Sequence, residues 1–378
     1  GKTAAFTIPI LQHLYNSNRN RRGKSSPRAL IITPTRELAI QINDNIKAYS
    51  KYTGAKSVVI FGGVKQHAQT KSLRHGTDIL VATPGRLLDL MGQGFISLRF
   101  IKYFVLDEAD QMLDMGFIND IKKVLAKLPS KRQSLFFSAT LSPSIVKLSE
   151  QILGRPEKVT IEPNKTTAER VVQYLYLVSK SNKSKLLIDL LESNRSDSVL
   201  VFSRTKHGAD KIVKILSKVQ IKAEAIHGNK SQNRRQKTLK DFKSGALSIL
   251  IATDIAARGI DVDDLSLVVN YDLPNVPETY VHRIGRTGRA QASGKAISFC
   301  SQEEHAYLKD IQKLINKKIE IVSDHPFVEE SPSLNGVHTP PHNTQKTNKK
   351  TFVRRNSNKN KSSFKGKRNN KQSKTKRY

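Results

Sequence analysis

With 378 residues the chain has room for roughly two to three domains, each able to bury a core of its own. Its one cysteine, Cys300, excludes a disulfide framework and a cysteine metal site; no apolar run is long enough to span a bilayer and no signal peptide is visible, which together point to a soluble, cytoplasmic protein. A net charge of +33 and a pI of about 10.2 call for a polyanionic partner, because phosphates release counterions when Lys and Arg neutralise them.

The first residues, "GKTAAFTIPILQHL", read as a helix entered through Gly1, Lys2 and Thr3. A Gly-Lys-Thr leading into an apolar helical pattern is the second half of a P-loop, in which backbone amides and a Lys cradle phosphates at a helix N-terminus. Taken alone the tripeptide is weak. Short apolar, β-branched runs then alternate with amphipathic segments through residue 322, which predicts βα units and mostly parallel sheets. The first half offers "ALIITPT", "SVVIFGG", "DILVATPGR", "YFVLDEAD" and "SLFFSAT" as strands. The pattern loosens near "LGRPEKVTIEPNKTTAER", and the second half offers "VQYLYLVS", "VLVFSRT", "AEAIHG", "SILIATD", "LVVNYD" and "AISFCS". The expected division is an α/β domain over residues 1–160, a linker at 161–168, a second α/β domain over 169–322 and a basic tail from 323 to 378. After Glu330 there is no acidic residue, only Lys, Arg, Asn and Ser in abundance, so disorder is expected from about Ser331. Phe352, Phe364 and Tyr378 lie among those cations, where they can stack on bases.

Polar, Gly- or Pro-containing clusters follow almost every predicted strand, and in open α/β sheets ligands bind outside the strands' carboxyl ends. Two such edges facing each other make a cleft. At the end of "YFVL" stands Asp107-Glu108-Ala109-Asp110. In P-loop enzymes an Asp in this place holds Mg²⁺ and a neighbouring carboxylate polarises the attacking water, so Asp107 suits the metal, with Thr3, and Glu108 the base. A plain helix start is the competing reading, since acidic residues favour a first turn.

With Gly1-Lys2-Thr3 and "DEAD" in order, the chain closely resembles the DEAD-box RNA helicases over residues 1 to about 322. The resemblance extends to "PTRELA" (34–39), "GG" (62–63), "TPGR" (83–86), "SAT" (138–140), "VFSRTK" (201–206), "HGNKSQNRR" (227–235), "ATDIAARGID" (252–261) and "HRIGRTGR" (282–289). The wording at "TKHGAD" and "AIHGNKSQ" is most similar to the bacterial RhlE-type branch. The family implies two tandem RecA-like domains that bind ATP and Mg²⁺. It also implies that Arg286 and Arg289 act as arginine fingers, a role their turn after "LVVNYD" suits physically. From the resemblance alone, His282 links the nucleotide site to Ser138 and Thr140, and Asp261 contacts the ribose.

The small residues, hydroxyls and single arginines after the strands suit a sugar-phosphate backbone better than base edges. By resemblance Arg36, Gly63, Thr83, Arg86, Arg204, Gln232 and Thr253 line a path for single-stranded RNA, with Pro34, Thr35, Gly62, Pro84, Gly85, Arg235, Asp254 and Gly259 beside them. The expected activity is RNA-stimulated ATP hydrolysis that closes two domains and opens short duplexes. Protein partners in RNA processing or ribosome assembly are also expected, and no membrane. A DNA-directed enzyme of the same class and a non-catalytic RNA clamp or chaperone working through the tail remain open. Relatives carry the rest of the P-loop and an adenine-reading segment ahead of this Gly-Lys-Thr. The expectation is therefore a truncated P-loop that binds ATP poorly.

Overall fold

The computed structural model describes residues 1–17, 26–160, 170–193, 198–260, 262, 264–288 and 294–328. The expected linker and the tail beyond Val328 lie outside them.

In the first half, strands β1 (Ala29–Ile32), β2 (Ser57–Ile60), β3 (Ile79–Ala82), β4 (Tyr103–Leu106) and β5 (Gln133–Phe136) pair in the order β2-β3-β1-β4-β5, every pair parallel. The two faces of β1 show why: Ala29 and Ile31 point into one core and Leu30 and Ile32 into the other, so the strand is apolar throughout. Helices α1 (Lys2–Asn16) and α2 (Arg36–Tyr49) cover the first face with Phe6, Ile10, Leu14, Ile42 and Ile46. The other face is covered from α4 (Pro84–Gly92), α5 (Ala109–Asp114), α6 (Ile118–Leu125) and α7 (Pro143–Leu153), and α3 (His67–Arg74) lies between β2 and β3.

The second half repeats the architecture. Strands β6 (Val171–Leu177), β7 (Val199–Phe202), β8 (Ala223–Ile226), β9 (Ile249–Ala252), β10 (Leu267–Asn270), β11 (Gly294–Cys300) and β12 (Glu320–Ile321) form a parallel sheet in the order β12-β6-β11-β10-β7-β9-β8. Around it lie α8 (Lys183–Ser193), α9 (Lys206–Lys218), α10 (Gln232–Lys243), the short α11 (Asp254–Ala257), α12 (Pro277–Ile284) and α13 (His305–Leu314). These are two tandem RecA-like domains, and each apolar run read as a strand in the sequence is one. Cys300 is buried in the second core.

The chain past the expected domain end at 322 is not yet free. Val178 and Val328 form an antiparallel bridge, Phe327 packs on the core beside β6, and the His325 ring lies 5.3 Å from that of Tyr176. An apolar pair too far apart in sequence to show periodicity holds this segment down. Among the described residues no helix is long and apolar enough to cross a membrane.

Helix caps carry the punctuation seen in the sequence. Thr35, Thr205 and Ser231 accept hydrogen bonds from the amides of Leu38, Gly208 and Arg234, while Thr83 and Thr253 cap α4 and α11 in extended conformation. A residue that follows a strand and starts a helix must sit at the carboxyl edge of the sheet. There the helix N-termini present amides and partial positive charge, the setting an anion needs.

Candidate active site and nucleic-acid interface

Lys2 and Thr3 open α1, and Lys2 is close enough to Asp107 and Glu108 to lower the pKa of both. Asp107 is buried at the end of β4, where its Oδ1 accepts a 3.0 Å hydrogen bond from the Glu108 amide. Burial pushes its pKa up to about 6 despite Lys2 and that amide. Glu108 has φ 54° and ψ 50°, the left-handed region that is uncommon for a residue with a side chain. Burial, then the Asp107 charge, pushes its carboxyl up to about 7, opposed by Arg286 and Lys2. Its buried Oε2 has no hydrogen-bond partner among the described residues.

Asp110 turns the other way. Its Oδ2 accepts from the Ala139 amide (3.2 Å) and from Thr140 Oγ1 (3.3 Å), and the Ser138 hydroxyl donates to the Thr140 carbonyl at 2.7 Å. "DEAD" and "SAT" are therefore one hydrogen-bonded unit. Asp110 adds to the cost of ionising both Asp107 and Glu108, and the donor set is hard oxygen, with Glu108 Oε2 and Asp110 Oδ1 both unpartnered among the described residues. A divalent cation bound mainly by phosphates and one or two carboxylates suits it. Among the described residues no group of three His, Cys, Asp or Glu is placed to hold a metal ion by itself.

From the second domain, His282 and Arg286 reach the same place. Burial holds the His282 imidazole below its ordinary range, Asp110 opposes this, and Arg258 and Arg286 add to it. Arg286 Nη1 donates to the Ile260 carbonyl at 3.0 Å, and the Arg286 charge is felt at Glu108. Arg258 forms an ion pair with Asp114 at 3.2 Å across the two halves. Arg289 and Asp261 lie outside the described residues. Arg283, between these motif arginines, is a strut instead: it grips the Asp254 carboxylate with two nitrogens (2.5 and 2.8 Å) and donates to Asn270 Oδ1 and the Asp272 carbonyl. Asp254, expected on the RNA path, thus has both carboxylate oxygens engaged by Arg283.

The remaining expected residues gather along the strand ends. Pro34 and Thr35 are buried ahead of α2, and Arg36 reaches back over Gly62 and Gly63. Gly63 has φ 76°, and a Cβ there would collide with the Arg36 guanidinium. Gly259, φ 68°, presses as closely on Thr35 Oγ1 from the other domain. Arg36 Nη1 also donates to Gln232 Oε1 at 3.4 Å. Thr83, Pro84 and Gly85 start α4, and Arg86 lies over that turn with Nε 3.4 Å from Asp89 and Nη2 donating to the Val64 carbonyl.

Two groups of residues escaped the reading of the sequence. Glu37 is buried and accepts from Gln232 Nε2 at 2.8 Å while its other oxygen pairs with Arg235 at 3.0 Å, so it joins the two halves. In the second domain Lys183, 2 % exposed, donates to Glu304 Oε2 (2.6 Å) and to the Tyr271 carbonyl (2.8 Å). Glu304 Oε1 in turn accepts from Arg204 Nη2 at 2.8 Å, and the Arg204 amide donates to Asp272 Oδ2. Of "PTRELA" the sequence singled out Pro34, Thr35 and Arg36 but not Glu37, and nothing in the spacing pairs a Lys with a Glu 121 residues later.

Residues 1–148 match the family model described as DEAD/DEAH box helicase, and residues 182–291 match that of the helicase conserved C-terminal domain. ATP-dependent RNA helicase RhlB of Shewanella frigidimarina is 41% identical over 324 residues, 85% of this chain and 75% of that protein. RhlB of Pseudomonas putida is 43% identical, over 84% and 81% respectively. Among solved structures, Saccharomyces cerevisiae Dbp5 bound to RNA and ADP BeF3 superposes with a TM-score of 0.72 at 33% identity, covering 85% of this chain and 82% of that one. With the carboxylates of "DEAD" and the strand-end arginines in place, this likeness over both domains identifies the chain as a member of the DEAD-box ATP-dependent RNA helicases.

Proposed function

We propose that the cleft between residues 1–160 and 169–322 hydrolyses ATP when RNA lies across the carboxyl edges of both sheets. The observation that supports this most is the meeting of Asp107, Glu108 and Asp110 from one half with His282 and Arg286 from the other. Gly1, Lys2 and Thr3 hold phosphate oxygens, and Thr3 and Asp107 would hold Mg²⁺, which neutralises charge on the phosphates when bound. Glu108 orients and polarises the attacking water, and its buried Oε2 has no hydrogen bond among the described residues that must first be broken. Arg286 and Arg289 meet charge on the transferring phosphoryl group, and Asp261 the ribose. The chain Asp110–Thr140, with Ser138 and His282 beside it, passes the state of the nucleotide to the second domain.

RNA is held by its backbone along Pro34–Arg36, Gly62–Gly63, Thr83–Arg86, Arg204, Gln232, Arg235, Thr253–Asp254 and Gly259. These groups offer amides and hydroxyls, and Arg86, Arg204 and Arg235 are held by Asp89, Glu304 and Glu37 rather than free to fork onto a base, so binding is independent of sequence. ATP and RNA each bind the closed arrangement better than an open one, so each raises the affinity of the other. Closure strains the bound strand and opens a short duplex beside it, and hydrolysis reopens the cleft. The wording "TKHGAD" and "AIHGNKSQ" supports the RhlE-type branch, and the RNA-helicase reading itself supports a place in the cytoplasm among RNA-processing or ribosome-assembly proteins.

The test is ATP hydrolysis with and without RNA, on the parent and on Glu108→Gln. RNA should stimulate the parent, and the variant should lose nearly all turnover while still binding RNA. A rate indifferent to RNA, or a Gln variant of full activity, would sink the mechanism. Activation by single-stranded DNA equal to that by RNA would favour the DNA-directed reading.

A further inference from the structure

The amino-terminal edge of the first sheet, opposite to the nucleotide and the strand-end arginines, carries a cavity of about 400 Å³. Its lining includes Arg28, Arg99, Phe100, Lys102 and Lys131, and no acidic residue. Strand pairing explains the concentration of charge. Arg28 immediately precedes β1, Lys102 immediately precedes β4, and Lys131 lies two residues before β5, three strands that are neighbours in the sheet. The Arg28 carbonyl accepts from the amides of Lys102 and Tyr103, and the Lys102 carbonyl from that of Gln133, so these strand starts are in register. Adjacent strands lie about 4.8 Å apart, so their entry positions bring like charges close together.

Arg28 is neutralised by Asp78, with which it forms a 3.0 Å ion pair at 6 % side-chain exposure on each side. Among the described residues Arg99, Lys102 and Lys131 have no ion pair. The Arg99 guanidinium lies 4.7 Å from the centre of the Phe100 ring, and Phe100 is 46 % exposed. A half-exposed aromatic among cations without acidic partners is the combination that holds a nucleic-acid strand: the cations take phosphates and the ring takes a base face.

We propose that this cavity is a second RNA-backbone site, which holds the part of a long RNA strand that extends beyond the strand-end path. That its ligand is RNA rests on the helicase reading. Strands of four residues separate the two edges by only about 13 Å plus the loops, a span that a strand of some tens of nucleotides covers. The site therefore anchors long RNA without touching the nucleotide cleft.

The test compares direct binding of two RNAs, one of about six nucleotides and one of about 30, to the parent and to the Arg99→Glu/Lys102→Glu/Lys131→Glu variant. All three side chains are exposed, so the variant should fold and melt like the parent. The long RNA should bind about tenfold more weakly or worse, and its log affinity against log salt should flatten by about 2, three contacts at roughly 0.7 each. The short RNA and the ATP turnover it stimulates should not change. Phe100→Ala is the second variant and should weaken only the long RNA, several-fold. Equal loss on both RNAs, or loss on neither, overturns the proposal. Displacement of the long RNA by neither variant but capture of poly-glutamate by the parent would assign the cavity to acidic protein and overturn it as well. Because binding is read directly, failure of RNA to stimulate hydrolysis would count against the helicase mechanism and not against the cavity.

Discussion

Glu108 holds a backbone conformation that costs a side-chain-bearing residue about 1–3 kcal/mol, and it keeps a buried carboxylate oxygen unpartnered. Both costs fall on the residue proposed to polarise water, which is where strain and unsatisfied polarity are expected to be retained. His282, in the other domain, lies within reach of the Asp110 charge as a largely neutral ring. Burial lowers its pKa, so between that value and the ordinary one near 6.5 the unfolded chain binds a proton that the folded chain refuses. Stability therefore falls as pH drops through 6.5 toward the depressed folded value and levels off below it. His282→Gln lacks this dependence while keeping a polar side chain. The expected result is that the difference in Tm, parent minus variant, shrinks or reverses between pH 7.5 and 5.5. A difference that is constant over that interval would mean that the imidazole is not held neutral.

At the scale of elements, the strands and their caps were legible in the sequence for a physical reason. A strand buried on both faces must be a continuous apolar run, as "ALII" and "VLVF" are, and a helix entered straight from a strand needs a Thr, Ser or Pro at its start. Thr35, Thr83 and Thr253 could be found because cap and expected site coincide at the carboxyl edge. Lys183, Glu304 and Glu37 could not, because a buried ion pair between distant segments leaves no period and no spacing. Lys183 and Glu304 join the first turn of α8 to the start of α13 and fix the guanidinium of Arg204. Removing one partner strands the other charge in the core. Glu304→Ala should therefore cost about 3–5 kcal/mol of stability, measured by denaturant unfolding. Lys183→Met combined with Glu304→Leu replaces the pair with apolar bulk and should recover most of that loss. The double variant should still require more RNA for half-maximal ATPase stimulation, since Arg204 has lost its carboxylate partner and keeps only the Leu273 carbonyl as a hydrogen-bond acceptor for its guanidinium. Full recovery of both properties would show that the network serves stability alone.

At the scale of the whole molecule, coupling between ATP and RNA depends on contacts made only when the two halves meet. Glu37 supplies two of these: its carboxylate accepts from Gln232 and pairs with Arg235, whose side chain is only 10 % exposed, and the neighbouring Arg36 also reaches Gln232. Burial disfavours the Arg235 charge, and Glu37 offsets that cost. Charge-assisted hydrogen bonds of this kind contribute about 1.5–3 kcal/mol, comparable with the 1–3 kcal/mol typical of a coupling free energy between two sites. Glu37→Gln keeps the shape and one acceptor but removes the charge. It should leave each half folded and the affinity for ATP without RNA close to that of the parent, while the factor by which RNA tightens ATP binding falls about tenfold. Linkage then requires the factor by which ATP tightens RNA binding to fall equally. Titrating each ligand in the absence and in the saturating presence of the other measures both factors. Unequal changes would place the loss in one binding site, and no change in either would remove Glu37 from the closing contact.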